Sequence, residues 1–172
     1  MTTPEDPQVT LRLAANEDAE AINRIYNFYV LTSTATFEIE PVTLEERLTW
    51  LARHDERYPV LVAESDGAVA GWCSLSPFHP RPGYRHTAED SVYIDDAWRG
   101  RGLGRLLLNH IIEHARLLGY HAVMARIGDS DNAASRALHA AQGFALVGIE
   151  REVGYKFNRW LDVVVMQWRP EA

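Results

Sequence analysis

The sequence predicts a mixed α/β protein in which helices flank one central sheet. Runs that alternate apolar and polar residues, as β-strands do, interleave along the chain with runs of helical periodicity. Turn signals separate these runs, and the clearest is Asp66-Gly67 between two apolar stretches. No Pro-, Gly- or Ser-rich linker divides the 172 residues. We therefore expect a single domain over residues 1–172, with its core at about residues 9–169.

The first half of the chain contains local signals for two helices and a hairpin. Asn16 and Thr43 are of the residue types that cap helices, and Glu46 completes a capping box with Thr43. In chain order we expect a strand at Val9–Leu13, a helix from residue 16 to about 31, a polar loop at 32–41, a second helix from residue 43, and strands at 60–63 and 68–75.

The second half begins with a loop rich in Pro, His and Arg at residues 77–86. Gly119 is expected to end a long Leu-rich helix, and Asn132 to cap the helix after it. The expected elements are a strand at Thr87–Ile94, a helix from 103 to about 118, a strand at 121–127, a helix from 132 to before 143, and strands at 145–153 and 160–168 with a turn at 154–158.

Composition disfavours two classes of partner and limits the chemistry of cysteine. The chain has 24 acidic against 17 basic residues and a formal net charge of −7, which disfavours broad binding to nucleic acid or to an anionic membrane. Cys73 is the only cysteine, so no internal disulfide can form. The first eight residues are polar and unlike a signal peptide. We expect a cytoplasmic protein.

A Gly- and Arg-rich turn at residues 99–104 is the sharpest feature of the sequence. Its glycines allow a tight turn and a close backbone approach to a ligand. The free N–H groups at the start of the following helix favour an anion there. Arg99, Arg101 and Arg105 add positive charge, so the segment is expected to cradle a pyrophosphate. A Gly-rich turn with solvated arginines is the alternative.

Two familiar phosphate-binding patterns do not match this turn. The Gly-Lys-Ser/Thr of a nucleotide P-loop is absent, and Leu107 stands where a dinucleotide fingerprint has its third glycine. Arg99, Gly102 and Gly104 do match the pattern Arg/Gln, two residues, Gly, one residue, Gly/Ala. With that motif between a strand and a long helix, the whole chain resembles the GCN5-related N-acetyltransferases (GNAT).

The GNAT resemblance implies a fold, a cosubstrate and an assembly. The fold would be a central, mostly antiparallel sheet, splayed near a bulge in the strand of Glu89 and flanked by helices. Acetyl-CoA would be the cosubstrate, with no metal, and the protein would be a homodimer.

A narrower resemblance concerns the branch that acetylates phosphinothricin and methionine sulfoximine. It is carried by residues 32–37, 89–93 and 154–156, together with Trp160 and Asp162. It implies direct acetyl transfer, in a ternary complex, to the α-amino group of a small glutamate- or methionine-derived amino acid. The alternatives are a protein N-terminus, a lysine or another small amine as acceptor, and a non-catalytic coenzyme A-binding module.

The same resemblance implies roles for particular residues. Glu89 would be the general base, directly or through a water, and His139 the acid that protonates the leaving thiolate. A solvent-facing Glu89 and a structural His139 are the alternatives. Asp90 would face the opposite side of the strand from Glu89 and so not share its role. The coenzyme contacts would be Val92, Tyr93, Ile94, Arg99, Gly100, Arg101, Gly102, Leu103, Gly104, Arg105, Asn132 and Ser135.

For the amino-acid substrate we expect contacts from Glu89 and from a basic loop. Arg81, Tyr84 and Arg85 lie in that loop, and an arginine fork matches carboxylate or phosphinate oxygens. Phe37 is expected to line the pocket. The residues 110–114 match an H-x-x-E-H zinc pattern, but no clear third ligand follows, so we expect no metal.

Overall fold

The computed structural model describes residues 9–170. One seven-stranded sheet runs in the order β1-β2-β3-β4-β5-β7-β6, and only β4 and β5 are parallel neighbours. The strands are β1 (Val9–Leu13), β2 (Val60–Ser65), β3 (Ala68–Pro77), β4 (Thr87–Ile94), β5 (Ala122–Gly128), β6 (Ala145–Lys156) and β7 (Arg159–Trp168). The α-helices are α1 (Ala19–Thr32), α2 (Leu44–Ala52), α3 (Leu103–Leu117) and α4 (Ala133–Ala141). The predicted mixed, mostly antiparallel sheet flanked by helices is confirmed.

The helices cover opposite faces of the sheet, as the alternation of β3 illustrates. Trp72 is buried on the face that α1 and α2 cover, with Ile22 of α1. Cys73 is buried on the other face, against Leu107 of α3. Among residues 9–170, no helix has the length and apolarity needed to cross a membrane.

β4 and β5 stay together for only a short distance. Their pairing covers Thr87–Glu89 on β4, after which the two strands separate. β5 then follows β7, with which it pairs from Val123 to Gly128. The expected splay is therefore present, but the expected bulge is not, because the register of β4 on β3 is continuous. The splay comes from the divergence of β5 and needs no extra residue in β4.

Several predicted turns and caps are confirmed. Asp66 and Gly67 both have positive φ (52° and 76°), as a two-residue hairpin turn requires. The Thr43 N–H donates to Glu46 Oε2 at 2.8 Å, and the Glu46 N–H donates to Thr43 Oγ1 at 3.2 Å. Asn132 caps α4, because its Oδ1 accepts from the Ser135 N–H at 3.2 Å.

The predicted start of the first helix is wrong. Asn16 opens a short 3₁₀ turn, Asn16–Asp18, and does not cap α1. The capping carboxylate belongs to Asp18, whose Oδ2 accepts from the Ala15 N–H at 2.8 Å. Arg12 donates to both oxygens of the same carboxylate, at 2.7 and 2.9 Å. The hydrogen bonds from Arg12 lower the pKa of Asp18 and so favour the charged carboxylate that accepts from Ala15.

The connection predicted at residues 154–158 is too long. β6 continues to Lys156, and the chain reverses at Phe157 and Asn158, with φ of 50° and 59°. Gly154 lies inside the strand, where a Cβ would stand 2.2 Å from Cε2 of Phe37. Residue 154 must therefore be glycine because an aromatic ring packs closely against it, and not because the chain turns there.

Candidate functional site

A large cavity occupies the gap between β4 and β5. Its volume is about 770 Å³. We call it the cleft cavity. The predicted site residues that line it are Val92, Tyr93, Ile94, Arg99, Gly100, Gly102, Leu103, Gly104, Arg105, Asn132, Ser135 and His139. Arg101 does not line it, and its guanidinium lies over the Trp98 ring at 4.7 Å. The structure therefore brings nearly all the predicted coenzyme contacts to one cavity.

The end of the cleft cavity near α3 has the features of an anion site. Gly102 is the N-cap of α3 and has the left-handed backbone conformation. Its carbonyl oxygen accepts the first hydrogen bond of the helix, from the Leu106 N–H. The N–H groups before Leu106 have no acceptor within the helix, as at any helix start. Arg99 and Arg105 add positive charge to the lining. This arrangement of backbone donors and arginines fits a pyrophosphate.

His139 and Asp90 meet at the other side of the cleft cavity. His139 Nε2 lies 3.0 Å from Asp90 Oδ2, and His139 Nδ1 lies 2.7 Å from the Ser135 carbonyl oxygen. Both ring nitrogens thus face acceptors, which suits the doubly protonated ring. Burial alone would lower the pKa of His139, but the hydrogen bond and charge of Asp90 outweigh it, so the pKa is raised. The protonated ring is therefore stabilised relative to that of a free histidine.

One oxygen of the Asp90 carboxylate is free to accept a hydrogen bond from a ligand. The Asp90 side chain is almost fully buried, and its Oδ1 has no hydrogen-bond partner among the described residues. Asp90 also lines the cleft cavity. A ligand in the cleft that carries an N–H or O–H can use this acceptor.

Glu89 lies on the opposite face of β4 from Asp90, as strand alternation predicts. It shares that face with Ser91 and Tyr93, towards α1 and α2. Glu89 does not line the cleft cavity. Burial raises the pKa of Glu89, the charge of Arg126 opposes the rise, and the charge of Asp90 adds to it. The carboxylate is thus more basic than an exposed glutamate.

A second cavity lies on the α1 and α2 face. Its volume is about 530 Å³, and we call it the aromatic cavity. It is lined by Tyr26, Glu38, Glu40, Pro41, Val42, Glu46, Arg47, Trp50, Trp72, Ser76, Ser91 and Tyr93. Ser91 and Tyr93 line both cavities. The two cavities therefore meet across β4 at Ser91 and Tyr93, and Glu89, which lines neither cavity, precedes Ser91 by two residues on the same face of the strand.

All five predicted substrate residues, Glu89 included, lie outside both cavities. Arg81, Tyr84 and Arg85 are exposed on the loop before β4, where the Arg85 Nε–H donates to His86 Nε2 at 3.0 Å. Phe37 packs its ring against Gly128 and Gly154. None of the four lines the cleft cavity or the aromatic cavity.

The histidines of the zinc-like pattern have partners of their own. His110 Nδ1 lies 3.1 Å from the Leu106 carbonyl oxygen, and His114 Nδ1 lies 2.9 Å from the His110 carbonyl oxygen. No group of three or more His, Cys, Asp or Glu side chains within residues 9–170 could hold a metal ion.

Two buried charged residues line the cavities although the sequence pattern does not assign them to either. Alternation along β4 removes Asp90 from the Glu89 face, and the same alternation places it in the lining of the cleft cavity. Arg47 is 4% exposed and lies in the aromatic cavity. The one signal for Arg47 was its position four residues before Leu51, on the buried side of α2.

Comparison with known proteins supplies the family. The model of the acetyltransferase (GNAT) domain matches residues 11–165. An L-methionine sulfoximine/L-methionine sulfone acetyltransferase of Salmonella typhimurium is 43% identical over 160 residues, which cover 92% of this chain and 93% of that protein.

Solved structures give the same fold. A GNAT superfamily phosphinothricin acetyltransferase of Sinorhizobium meliloti, solved in complex with acetyl-CoA, superposes with a TM-score of 0.90 at 36% identity, over 94% of this chain and 88% of that chain. A ribosomal-protein-alanine N-acetyltransferase of Brucella melitensis superposes with a TM-score of 0.91 at 43% identity, over 94% and 99%.

Proposed function

The chain belongs to the GNAT acetyltransferase family, and from this premise we propose that it transfers the acetyl group of acetyl-CoA to the α-amino group of a small amino acid. The acceptors we propose are glutamate- or methionine-derived compounds of the phosphinothricin, methionine sulfoximine and methionine sulfone type. The observation that carries this proposal is the meeting of the two cavities at Ser91 and Tyr93, beside a basic carboxylate. One cavity suits the coenzyme and the other suits the amine.

The lining of the cleft cavity supports the coenzyme half of the proposal. The start of α3, with Arg99 and Arg105, would hold the pyrophosphate. The backbone of residues 92–94, which has no β5 partner, would bind the pantetheine arm, and Asn132 and Ser135 would contact the coenzyme from α4. When bound, acetyl-CoA supplies an activated acetyl group as a thioester.

The proposed reaction is a direct transfer in which both substrates are bound together. A C–N bond forms between the acetyl carbon and the amine, and the C–S bond to the coenzyme breaks. The ammonium nitrogen loses two protons in becoming the amide. Glu89, directly or through a water, takes the first before the attack, and the second, released after the C–N bond forms, replaces the proton that the leaving sulfur gains. His139, whose pKa is raised by Asp90, gives a proton to the leaving sulfur once its ring breaks the hydrogen bond to Asp90 or to the Ser135 carbonyl. The products are an N-acetyl amino acid and the coenzyme thiol.

A homodimer is part of the proposal. The hairpin of β6 and β7 lies at the edge of the sheet and exposes a group of large apolar side chains. They are Leu146, Val147, Val153, Tyr155, Phe157 and Trp160. A second copy of the chain would cover this hairpin. We also propose that residues 1–172 form one domain that works in the cytoplasm without metal, nucleic acid or membrane.

The test is thiol release from acetyl-CoA over a panel of amino acids and peptides. We expect strong release with methionine sulfone, methionine sulfoximine and phosphinothricin. A second candidate acceptor is the N-terminal alanine of a ribosomal protein, favoured by the similarity to the Brucella structure. Release with an alanine-initiated peptide alone would establish that candidate. Coenzyme binding without release from any amine would leave only a binding module.

A further inference from the structure

We propose that Arg47 binds an anionic oxygen group of the amino-acid substrate, either its α-carboxylate or a distal acidic group, and that the aromatic cavity is the subsite that holds this group. This inference rests on the proposed function and adds the group that recognises the acceptor. It concerns a residue on α2, outside the loop that carries Arg81 and Arg85.

Arg47 is surrounded by aromatic rings and has no carboxylate partner among the described residues. Its guanidinium lies 4.5 Å from the centre of the Tyr26 ring, 4.7 Å from that of Trp50 and 5.7 Å from that of Trp72. The one hydrogen bond of its side chain runs from Nε to Asn23 Oδ1, at 3.3 Å. No carboxylate of residues 9–170 lies within ion-pair distance of it.

Burying a guanidinium without a counter-ion is unfavourable in free energy. Arg47 lines the cavity, and of the five N–H donors of its guanidinium only the Nε–H has an acceptor among the described residues. Burial lowers the pKa of Arg47, and the charges of Tyr26, Tyr93 and Glu38 only partly oppose this. Contacts with the aromatic rings offset part of the hydration free energy that Arg47 loses on burial. An anion with two oxygens would offset more of it. The arrangement is prepared for such a ligand.

The other polar groups of the cavity fit an amino acid. Arg47 is the only cation among the lining residues of the aromatic cavity. Glu38, Glu40 and Glu46 stand at exposed positions, where they favour entry of an ammonium group. Tyr26 links the two ends, since its ring lies 5.2 Å from the ring of Tyr93. An anion on Arg47 therefore leaves the rest of the ligand directed towards β4, where the cavities meet.

Two pairs of compounds test which anionic group of the substrate Arg47 binds. Methionine sulfone and its α-carboxamide differ only in the α-carboxylate. Phosphinothricin and methionine sulfone have nearly the same shape and differ by one charge at the distal group. We expect the wild-type protein to prefer the anionic member of at least one pair, by kcat/KM. In Arg47→Gln that preference should fall by about 10- to 100-fold, as for loss of charge-assisted hydrogen bonds.

The controls separate binding from folding. Arg53→Gln removes an exposed arginine one residue after α2 and should leave both preferences intact. Thermal melting and coenzyme affinity of Arg47→Gln report its fold. If Arg47→Gln does not fold, Arg47→Lys keeps the charge without the planar fork, and it should retain a reduced preference. Preferences that survive unchanged, or activity that falls equally on charged and neutral compounds, would overturn the proposal.

A measurement without turnover keeps this inference separate from the proposed function. Trp50 and Trp72 flank Arg47, so binding of phosphinothricin should change the tryptophan fluorescence of the wild type. The change should be lost in Arg47→Gln and kept in Arg53→Gln. Acetylation without any role for Arg47 would reject only the inference, whereas fluorescence binding without acetylation would reject only the catalytic function.

Discussion

The pair of Asp90 and His139 shows how one buried carboxylate sets the state of a neighbouring ring. Asp90→Asn keeps the shape and removes the charge, so we expect the pKa of His139 to fall towards or below its ordinary value of about 6.5. Titration of the imidazole by NMR measures this. Asp96→Asn, on an exposed residue near the Gly-rich turn, should leave His139 unaffected.

The same pair makes a signed prediction about stability. Because the pKa of His139 is raised by folding, the ion pair stabilises the fold fully below about pH 6.5, and this contribution is lost as pH rises through the raised value. Urea unfolding at several pH values should therefore show the largest difference between wild type and Asp90→Asn at the acidic end. An equal difference at all pH values would contradict the charged state of the ring.

Glu89 carries the clearest prediction for activity. Glu89→Gln should lower kcat by about 100-fold or more and leave the coenzyme Kd unchanged, since a general base contributes to turnover and the side chain lies outside the cleft cavity. The acid limb of the pH profile should lie above the ordinary range of a glutamate in the wild type and vanish in the variant. Unaltered turnover would remove Glu89 from the mechanism.

At the scale of elements, the start of α3 depends on one glycine. Gly102 has a φ of 79° and lines the cleft cavity, so Gly102→Val should both strain the backbone and place a side chain in the predicted cradle. Gly67→Val has the same kind of strain in a distant turn, where φ is 76°. Both should lose about 1–2 kcal/mol in the free energy of unfolding. Only Gly102→Val should lose coenzyme affinity, as calorimetric titration would show.

The β6 strand makes a second prediction at this scale. Gly154→Ala should lower the free energy of unfolding by about 1–3 kcal/mol, because its Cβ meets the Phe37 ring. Gly148→Ala, in the same strand with open space around the new Cβ, is the matched control and should be nearly neutral. Combining Gly154→Ala with Phe37→Leu should recover part of the loss. A Gly154→Ala variant as stable as Gly148→Ala would mean that the ring moves aside freely.

The element positions could be predicted because each rests on a local signal. The turn at Asp66-Gly67 needs only its own backbone conformation, and Thr43 with Glu46 needs only four neighbouring residues. The connection at 154–158 is predicted too long because the need for glycine at residue 154 comes from a contact with Phe37, over a hundred residues away in sequence.

The burial of Arg47 could not be predicted either. Arginine on a helix is normally a surface residue, and the rings around this one meet it only after folding.

At the scale of the whole molecule, the exposed hairpin predicts the assembly. Sedimentation equilibrium should give twice the monomer mass at micromolar concentration. Replacing Trp160 with Lys and Phe157 with Asp puts two charges on the exposed apolar group and should yield monomers. A matched pair of charge-introducing changes at Leu117 and Leu118, exposed at the end of α3, should leave the dimer intact. A wild-type monomer at all concentrations would contradict the proposed homodimer.

The fold as a whole was easier to predict than the site, for a physical reason. Strand and helix periodicity reflects burial averaged over many residues, so one misplaced turn does not change the order of elements. The Gly-rich turn was also recognisable, because its backbone requirements are local to residues 99–104. The acceptor side depends on single side chains from α1, α2, β3 and β4 that meet only after folding.

The short pairing of β4 with β5 has a consequence for heat tolerance. The sheet is two groups of strands joined at this seam by the pairs from Thr87 to Glu89. A coenzyme bound in the gap would touch both groups, and a ligand at 100 times its Kd stabilises a folded protein by about 2.7 kcal/mol. The temperature at which this protein unfolds should therefore rise with the concentration of acetyl-CoA, because the coenzyme would add contacts across the seam where the pairing of strands is shortest.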